Sequence, residues 1–151
     1  MLLSIYAVIV LPIGFISHFL TFEVVDFTWF IIFRCVGITL IAPALLEELF
    51  YRVIILPHKL ENSSNKAKLI WGSISLGAYI LSHPLNAFTF FPAGLPTFID
   101  PIFLLATALL GIICMTIYWQ SESLWSSVII HWLIVVVWLL FLGGYGRLHQ
   151  S

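Results

Sequence analysis

The run Leu45-Leu46-Glu47-Glu48-Leu49-Phe50-Tyr51-Arg52 sets two carboxylates and a guanidinium inside a long apolar segment, just ahead of Val53-Ile54-Ile55-Leu56. Two histidines stand in similar surroundings, His83 in GAYILSHPLN and His131 in SVIIHWLIVVVW. At helical spacing Glu48 and Arg52 are i and i+4, with the acid on the amino-terminal side, the better orientation for an ion pair. One arginine cannot neutralise two acids. Adjacent carboxylates beside a single cation titrate as a coupled pair, and the unpaired one, Glu47, is the candidate general base. A carboxylate and two imidazoles converging from three helices can deprotonate a water and hold the oxyanion formed when that water attacks an amide. The same donors, Glu47, His83 and His131, could instead hold a divalent metal such as zinc, although the helical HExxH signature is absent and no cofactor is certain. No serine nucleophile stands out. Ser82 adjoins His83, but neighbouring helical positions diverge by about 100°. Ser127 shares a face with His131 and is read only as a hydrogen-bond partner, because a helical serine more often bonds back to its own backbone.

Each of these residues also has a plainer explanation. Ionisable groups within a membrane span are unfavourable by about 2.5 to 3.5 kcal/mol each. An interior ion pair accounts for Glu48 and Arg52, and a neutral, hydrogen-bonded packing histidine accounts for either imidazole taken singly. Depth favours the joint reading. At about 1.5 Å per residue, Glu47, His83 and His131 lie about 15, 21 and 11 Å from the ends of their spans, towards the middle of the bilayer.

The elements that carry them are membrane helices. The 151 residues are 62% hydrophobic and 9% charged, with a mean hydropathy of +1.12, far outside the range of soluble domains. Segments of near-spanning length run from 1 to 22, 27 to 57, 69 to 86, 98 to 119 and 124 to 143, against the roughly 20 apolar residues that a bilayer core requires. The alternating polarity of a barrel is absent, so the expected fold is an all-α integral membrane protein. It is a polytopic bundle of about five transmembrane helices with its polar site in the interior, and a single domain over 1–151. The first segment lacks a positive flank and a small-residue cleavage site, and is expected to remain as a span. Pro43 should kink the second segment just before Glu47.

Cys35 and Cys114 sit inside apolar runs and read as small core residues. Trp29, Trp71, Trp119 and Trp125 read as interfacial anchors, and Trp132 and Trp138 as packing. His18, His58 and His149 should reach water, while Arg34 either snorkels outward or pairs with an acid on another helix. Six basic against seven acidic residues give a net charge of −1 and no basic arm, which argues against a nucleic-acid partner. The spans show no repeat and no paired broken helices of the kind transporters use.

With these residues in place, Glu47-Glu48-Leu49-Phe50-Tyr51-Arg52 matches an EExxxR motif, Tyr79-Ile80-Leu81-Ser82-His83 resembles an aromatic-xxx-His motif, and His131 could open an HxxxN/D motif. Three such motifs in order, each in its own span over about residues 42–141, resemble the CPBP family of intramembrane proteases. That family includes the type II CAAX prenyl endopeptidases and the bacteriocin-processing and self-immunity (Abi) proteins. The resemblance implies that Glu47 and His83 activate the water, Glu48 with Arg52 supports the site, and His131 stabilises the oxyanion. The sequence departs from the family at Val135, where an Asn or Asp often follows the third-motif histidine; valine offers neither donor nor acceptor. Losing one oxyanion donor typically lowers the rate about 10² to 10³-fold, which weakens hydrolysis without abolishing it. Asn86, one turn beyond His83, is a substitute donor.

The expected activity is therefore glutamate-dependent hydrolysis of a peptide bond in a membrane-associated protein or peptide, prenylated or not, within the lipid bilayer. The alternative is a non-catalytic immunity or scaffold protein of the same fold, with Val135 marking decay of the site. Orientation follows from Lys59, Lys66 and Lys68, which place residues 58–68 and the amino terminus in the cytoplasm, with the turn AFTFFPAGLPTFID on the far side shaping a site entrance. A membrane-impermeant thiol reagent applied from the cytoplasmic side is expected to label Ser64→Cys and leave Ala93→Cys unlabelled; the opposite pattern would reverse the orientation.

Overall fold

The computed structural model describes residues 2–26, 28–57 and 63–149. Phe27 and residues 58–62, with His58 and Lys59 of the expected cytoplasmic loop, lie outside them. The described residues form no strand beyond one isolated bridge between Glu23 and Leu142. The fold is the all-α membrane bundle that the hydropathy pattern demands.

The first helix, α1 (Leu2–Ile16), has 15 residues and reaches about 22 Å, less than the bilayer core of about 30 Å. It is thus shorter than the span read from 1 to 22. A turn ends it: Ser17 Oγ donates to Gly14 O at 3.1 Å, His18 adopts a left-handed φ of 58°, and the Leu20 N–H reaches back to Gly14 O at 2.9 Å. The chain after this turn runs beside the end of the last long helix, with the Glu23 N–H on Phe141 O and the Val25 N–H on Leu140 O, both at 3.2 Å.

Thr28 opens the second helix, α2 (Trp29–Ile54), its Oγ1 accepting from the Ile31 N–H at 3.3 Å. Three stretches of α2 are wound with the wider π-helical spacing, Phe33–Ile38, Leu40–Leu45 and Leu49–Ile54. The kink expected at Pro43 is present. Ala42 is extended at φ −132°, ψ 116°, because the proline ring disfavours helical geometry in the residue before it. Irregular winding leaves carbonyls for side chains to satisfy, and Trp132 Nε1 donates to Val36 O at 2.8 Å.

Ser64 caps α3 (Asn65–Thr89), accepting from the Ala67 N–H at 3.2 Å. A 3₁₀ turn over Pro92–Gly94 and a short helix, α4 (Leu95–Phe98), follow. Asp100 then caps α5 (Pro101–Ser121), accepting from the Ile102 N–H at 2.8 Å, and Pro101 takes the first helical position, where a missing N–H does no harm. Two further helices complete the chain, α6 (Leu124–Phe141) and α7 (Gly144–His149). The connections alternate between two ends of the bundle. At one end Thr97 Oγ1 donates to Arg147 O at 3.3 Å, and Arg147 Nη2 donates to His18 O at 2.6 Å. Those contacts gather the segments that follow α1, α3 and α6.

Among the described residues, α2, α5 and α6 are long and apolar enough to cross a membrane. Helix α3 has the length at 25 residues, but Lys66 and Lys68 in its first turn, and Ser75, His83 and Asn86 on the face that borders the site, dilute its apolar character. Outward side chains are apolar and bare: Phe30 is 65% exposed, Ile54 66% and Leu81 67%. A surface of that kind suits lipid. Inside, α3 and α5 approach closely at Gly111, where a β-carbon would lie 2.8 Å from Leu76 Cδ1 and 2.9 Å from Tyr79 Cδ1. Small residues let membrane helices come this near. Gly111→Ala is expected to lower stability by about 1 to 3 kcal/mol in detergent unfolding; a wild-type transition would mean that the helices part there without strain.

Candidate active site

Local folding at Pro43 determines where the acids point. Helical winding resumes directly after the proline, so Glu47 and Glu48 fall in its first turns and diverge to different surroundings. Glu48 and Arg52 are fully buried, and Arg52 Nε donates to Glu48 Oε2 at 3.0 Å. The other oxygen of Glu48 meets α6, where His131 Nδ1 lies 3.1 Å from Oε1. A carboxylate only accepts, so Nδ1 carries the proton in this contact and Nε2 is turned the other way. There it stands 3.8 Å from Glu47 Oε2. The Glu47 side chain is 25% exposed, yet its Oε2 is buried with no hydrogen-bond partner among the described residues.

Helix α3 supplies a second layer. His83 Nδ1 lies 2.9 Å from Tyr79 O, and since a carbonyl only accepts, the neutral ring keeps its proton on Nδ1 and a lone pair on Nε2. Edge-on contacts hold the imidazole against Tyr79, Phe98 and Phe103, at centroid distances of 5.2, 5.7 and 5.3 Å. The Tyr79 ring also lies edge-on to His131 at 6.1 Å and flanks the Arg52 guanidinium at 5.4 Å. Glu47, His83 and His131 border one cavity of about 730 Å³, which Tyr79, Asn86 and Val135 also line. Three helices therefore bring the three candidate residues to one space. Glu48 and Arg52 stand behind it.

Of the remaining polar side chains, Ser82 Oγ bonds back to Tyr79 O at 2.7 Å and Ser127 Oγ to Leu124 O at 2.9 Å, so neither is free to act as a nucleophile. Arg34 lies over the exposed Phe30 ring at 5.6 Å on its own helix, the outward course of the two considered for it. His18 and His149 are exposed. The turn between α3 and α5 folds inward, because Phe91 and Phe98 both line the cavity. No group of three or more His, Cys, Asp or Glu side chains among the described residues is arranged to hold a metal.

Sequence reading passed over Ser75. Its hydroxyl is fully buried, accepts from Arg52 Nη1 at 3.3 Å and donates to Tyr51 O at 2.8 Å. The signal was available: Ser75, Tyr79 and His83 recur every four residues and so share one helix face.

A family model described as type II CAAX prenyl endopeptidase Rce1-like matches residues 25–137. No curated protein and no solved structure matches the chain significantly.

The two acids should differ in how much the fold depends on them. Arg52→Ala leaves the Glu48 charge buried beside one imidazole and is expected to destabilise the fold by about 3 to 5 kcal/mol. Glu47→Gln removes no strong bond, and its unfolding transition should stay within about 1 kcal/mol of wild type. Equal losses in the two variants would mean that Glu47 is as structural as Glu48.

Proposed function

The chain belongs to the Rce1-like type II CAAX prenyl endopeptidase family, a family of membrane proteases, and on that premise we propose that it hydrolyses a peptide bond of a membrane-associated protein or peptide with a water activated by Glu47 and His83. The observation carrying this reading is the convergence of Glu47, His83 and His131 on one cavity from three separate helices. A purely structural role for each would not require a common space.

In the proposed reaction Glu47 and the Nε2 lone pair of His83 accept hydrogen bonds from the water, and Glu47 takes its proton as the water oxygen bonds to the scissile carbonyl carbon. The carbonyl oxygen becomes an oxyanion. His131 faces it through Nε2, since Nδ1 is committed to Glu48, and it can donate from Nε2 only as an imidazolium. In that form Glu47 and Glu48 as carboxylates and Arg52 and His131 as cations sum to zero. When Glu47 gains a proton the oxyanion supplies the matching negative charge, so the site stays neutral through the step. The proton held by Glu47 then passes to the departing amine nitrogen as the carbon–nitrogen bond breaks.

The cavity extends from this polar wall along apolar side chains of α1, α5 and α6, among them Tyr6, Val10, Leu110 and Leu139. Such walls suit the hydrophobic part of a membrane-anchored substrate, a prenyl chain included. One observation favours the non-catalytic alternative. Val135 lines the cavity one turn after His131 and brings no donor to it.

A cleavage assay on purified protein in lipid, with prenylated and unprenylated membrane peptides, decides between them. Wild type is expected to cleave with and without chelator, and Glu47→Ala to lose at least about 10²-fold in kcat while remaining folded. Undiminished biological function in Glu47→Ala, with no cleavage by wild type, would establish the scaffold role. Loss of activity with chelator would overturn the metal-free form of the mechanism.

A further inference from the structure

We infer that Ser75 is a positioning residue: by holding one nitrogen of Arg52 it keeps the Arg52–Glu48 pair single-pronged and so reserves the second oxygen of Glu48 for His131. The inference deepens the protease reading and rests on it for its kinetic consequence. An arginine beside a carboxylate commonly closes a two-pronged fork, with parallel N–H donors on both oxygens. Here only one prong is closed. Nε donates to Glu48 Oε2 at 3.0 Å, while the neighbouring Nη2 is buried with no hydrogen-bond partner among the described residues.

The oxygen that Nη2 would take is Oε1, and Oε1 accepts from His131 Nδ1 at 3.1 Å. Oε1 has lone pairs enough for two donors, so the contest is over its orientation. A closed fork holds the carboxylate in the plane of the guanidinium, and the turn that brings it there carries Oε1 away from the imidazole. Ser75 opposes closure of the fork, because its Oγ accepts from Nη1 at 3.3 Å and is itself anchored by donating to Tyr51 O at 2.8 Å. The carbonyl it grips belongs to the residue before Arg52, so the hydroxyl ties the guanidinium to the backbone that carries it. Burial of Ser75 is complete, which leaves bulk water no route to the hydroxyl's place. The Tyr79 ring, 5.4 Å from Cζ, flanks the guanidinium but offers no directional bond to fix its rotation. Without Ser75 the fork closes on Glu48, His131 loses the bond that orients its Nδ1, and Nε2 is no longer held towards Glu47.

Imidazole ¹⁵N spectra of the full chain in lipid test this directly, with the His131 signal assigned by its loss in His131→Gln. Wild type is expected to show a protonated, hydrogen-bonded Nδ1 on His131; an unprotonated Nδ1 there overturns the proposal without any variant. Ser75→Ala is expected to shift that signal and to lower kcat about 10-fold, the usual scale for a residue that orients a functional histidine, with KM changed by less than about twofold. An unshifted Nδ1 signal in folded Ser75→Ala overturns it. Should that variant not fold, Ser75→Cys, similar in volume but a weak acceptor, is read by the same spectrum. The spectrum needs no substrate. A chain that shifts its Nδ1 signal yet cleaves nothing therefore fails the protease reading and keeps this one.

Discussion

Everything in the interior is arranged around a guanidinium that water does not reach. Arg52 is fully buried in a chain whose outer surface is built for lipid, and an uncompensated charge there would be unfavourable by several kcal/mol. Glu48 on the same helix supplies the countercharge. One ion pair does not saturate the hydrogen-bonding capacity of either partner, and the remaining contacts come from α3 through Ser75 and from α6 through His131. Satisfying Arg52 therefore fixes the relative placement of three helices. The close passage of α3 past α5 at Gly111 serves the same end, since it lets the polar face of α3 come within reach.

The same constraint divides the labour between two adjacent acids. Glu48 has both oxygens engaged, one by Arg52 and one by His131. Glu47 points a quarter-turn or more away, into the cavity, with an oxygen that meets no donor within hydrogen-bond distance. The proposed chemistry uses the acid with unspent capacity to bind water, and the fold uses the one without it. Pro43 makes the division possible, since the chain turns through Ala42 before winding resumes ahead of the acids.

Surrounding aromatic side chains finish the site. Phe98 from the short helix α4 and Phe103 from α5 enclose His83, and Phe103 continues through Trp138 to Phe19. The turn between α3 and α5 is thereby part of the cavity wall and not a loose connection. A low-polarity wall strengthens each electrostatic contact near it, the Arg52–Glu48 ion pair and the Glu48–His131 hydrogen bond among them. Val135 adds to that wall where a polar side chain would have added a donor.

Composition and hydropathy by themselves determined that this is a helical membrane protein, because unpaired backbone groups and scattered charges are too unfavourable in lipid to allow another reading. The same reasoning made Glu47, Glu48, Arg52, His83 and His131 conspicuous: ionisable residues within apolar runs are rare enough to be seen one at a time. Periodicity also gave the pairing of Glu48 with Arg52, since i and i+4 on a helix face each other whatever the tertiary fold. What periodicity could not supply was any contact between helices. The end of α1 at Ile16, ahead of the expected boundary, came from a turn at Ser17 and His18; His18 O meets Arg147, and Thr21 just beyond meets Leu142, partners more than a hundred residues away in sequence. Likewise, that His131 binds Glu48 through Nδ1, that Ser75 grips Arg52, and that Glu47 is left to face the cavity depend on how α2, α3 and α6 pack. A sequence specifies which groups need partners. Only the packed bundle decides which partner each one finds, because hydrogen bonds reach about 3 Å and the helices that supply them are separated by dozens of residues of chain.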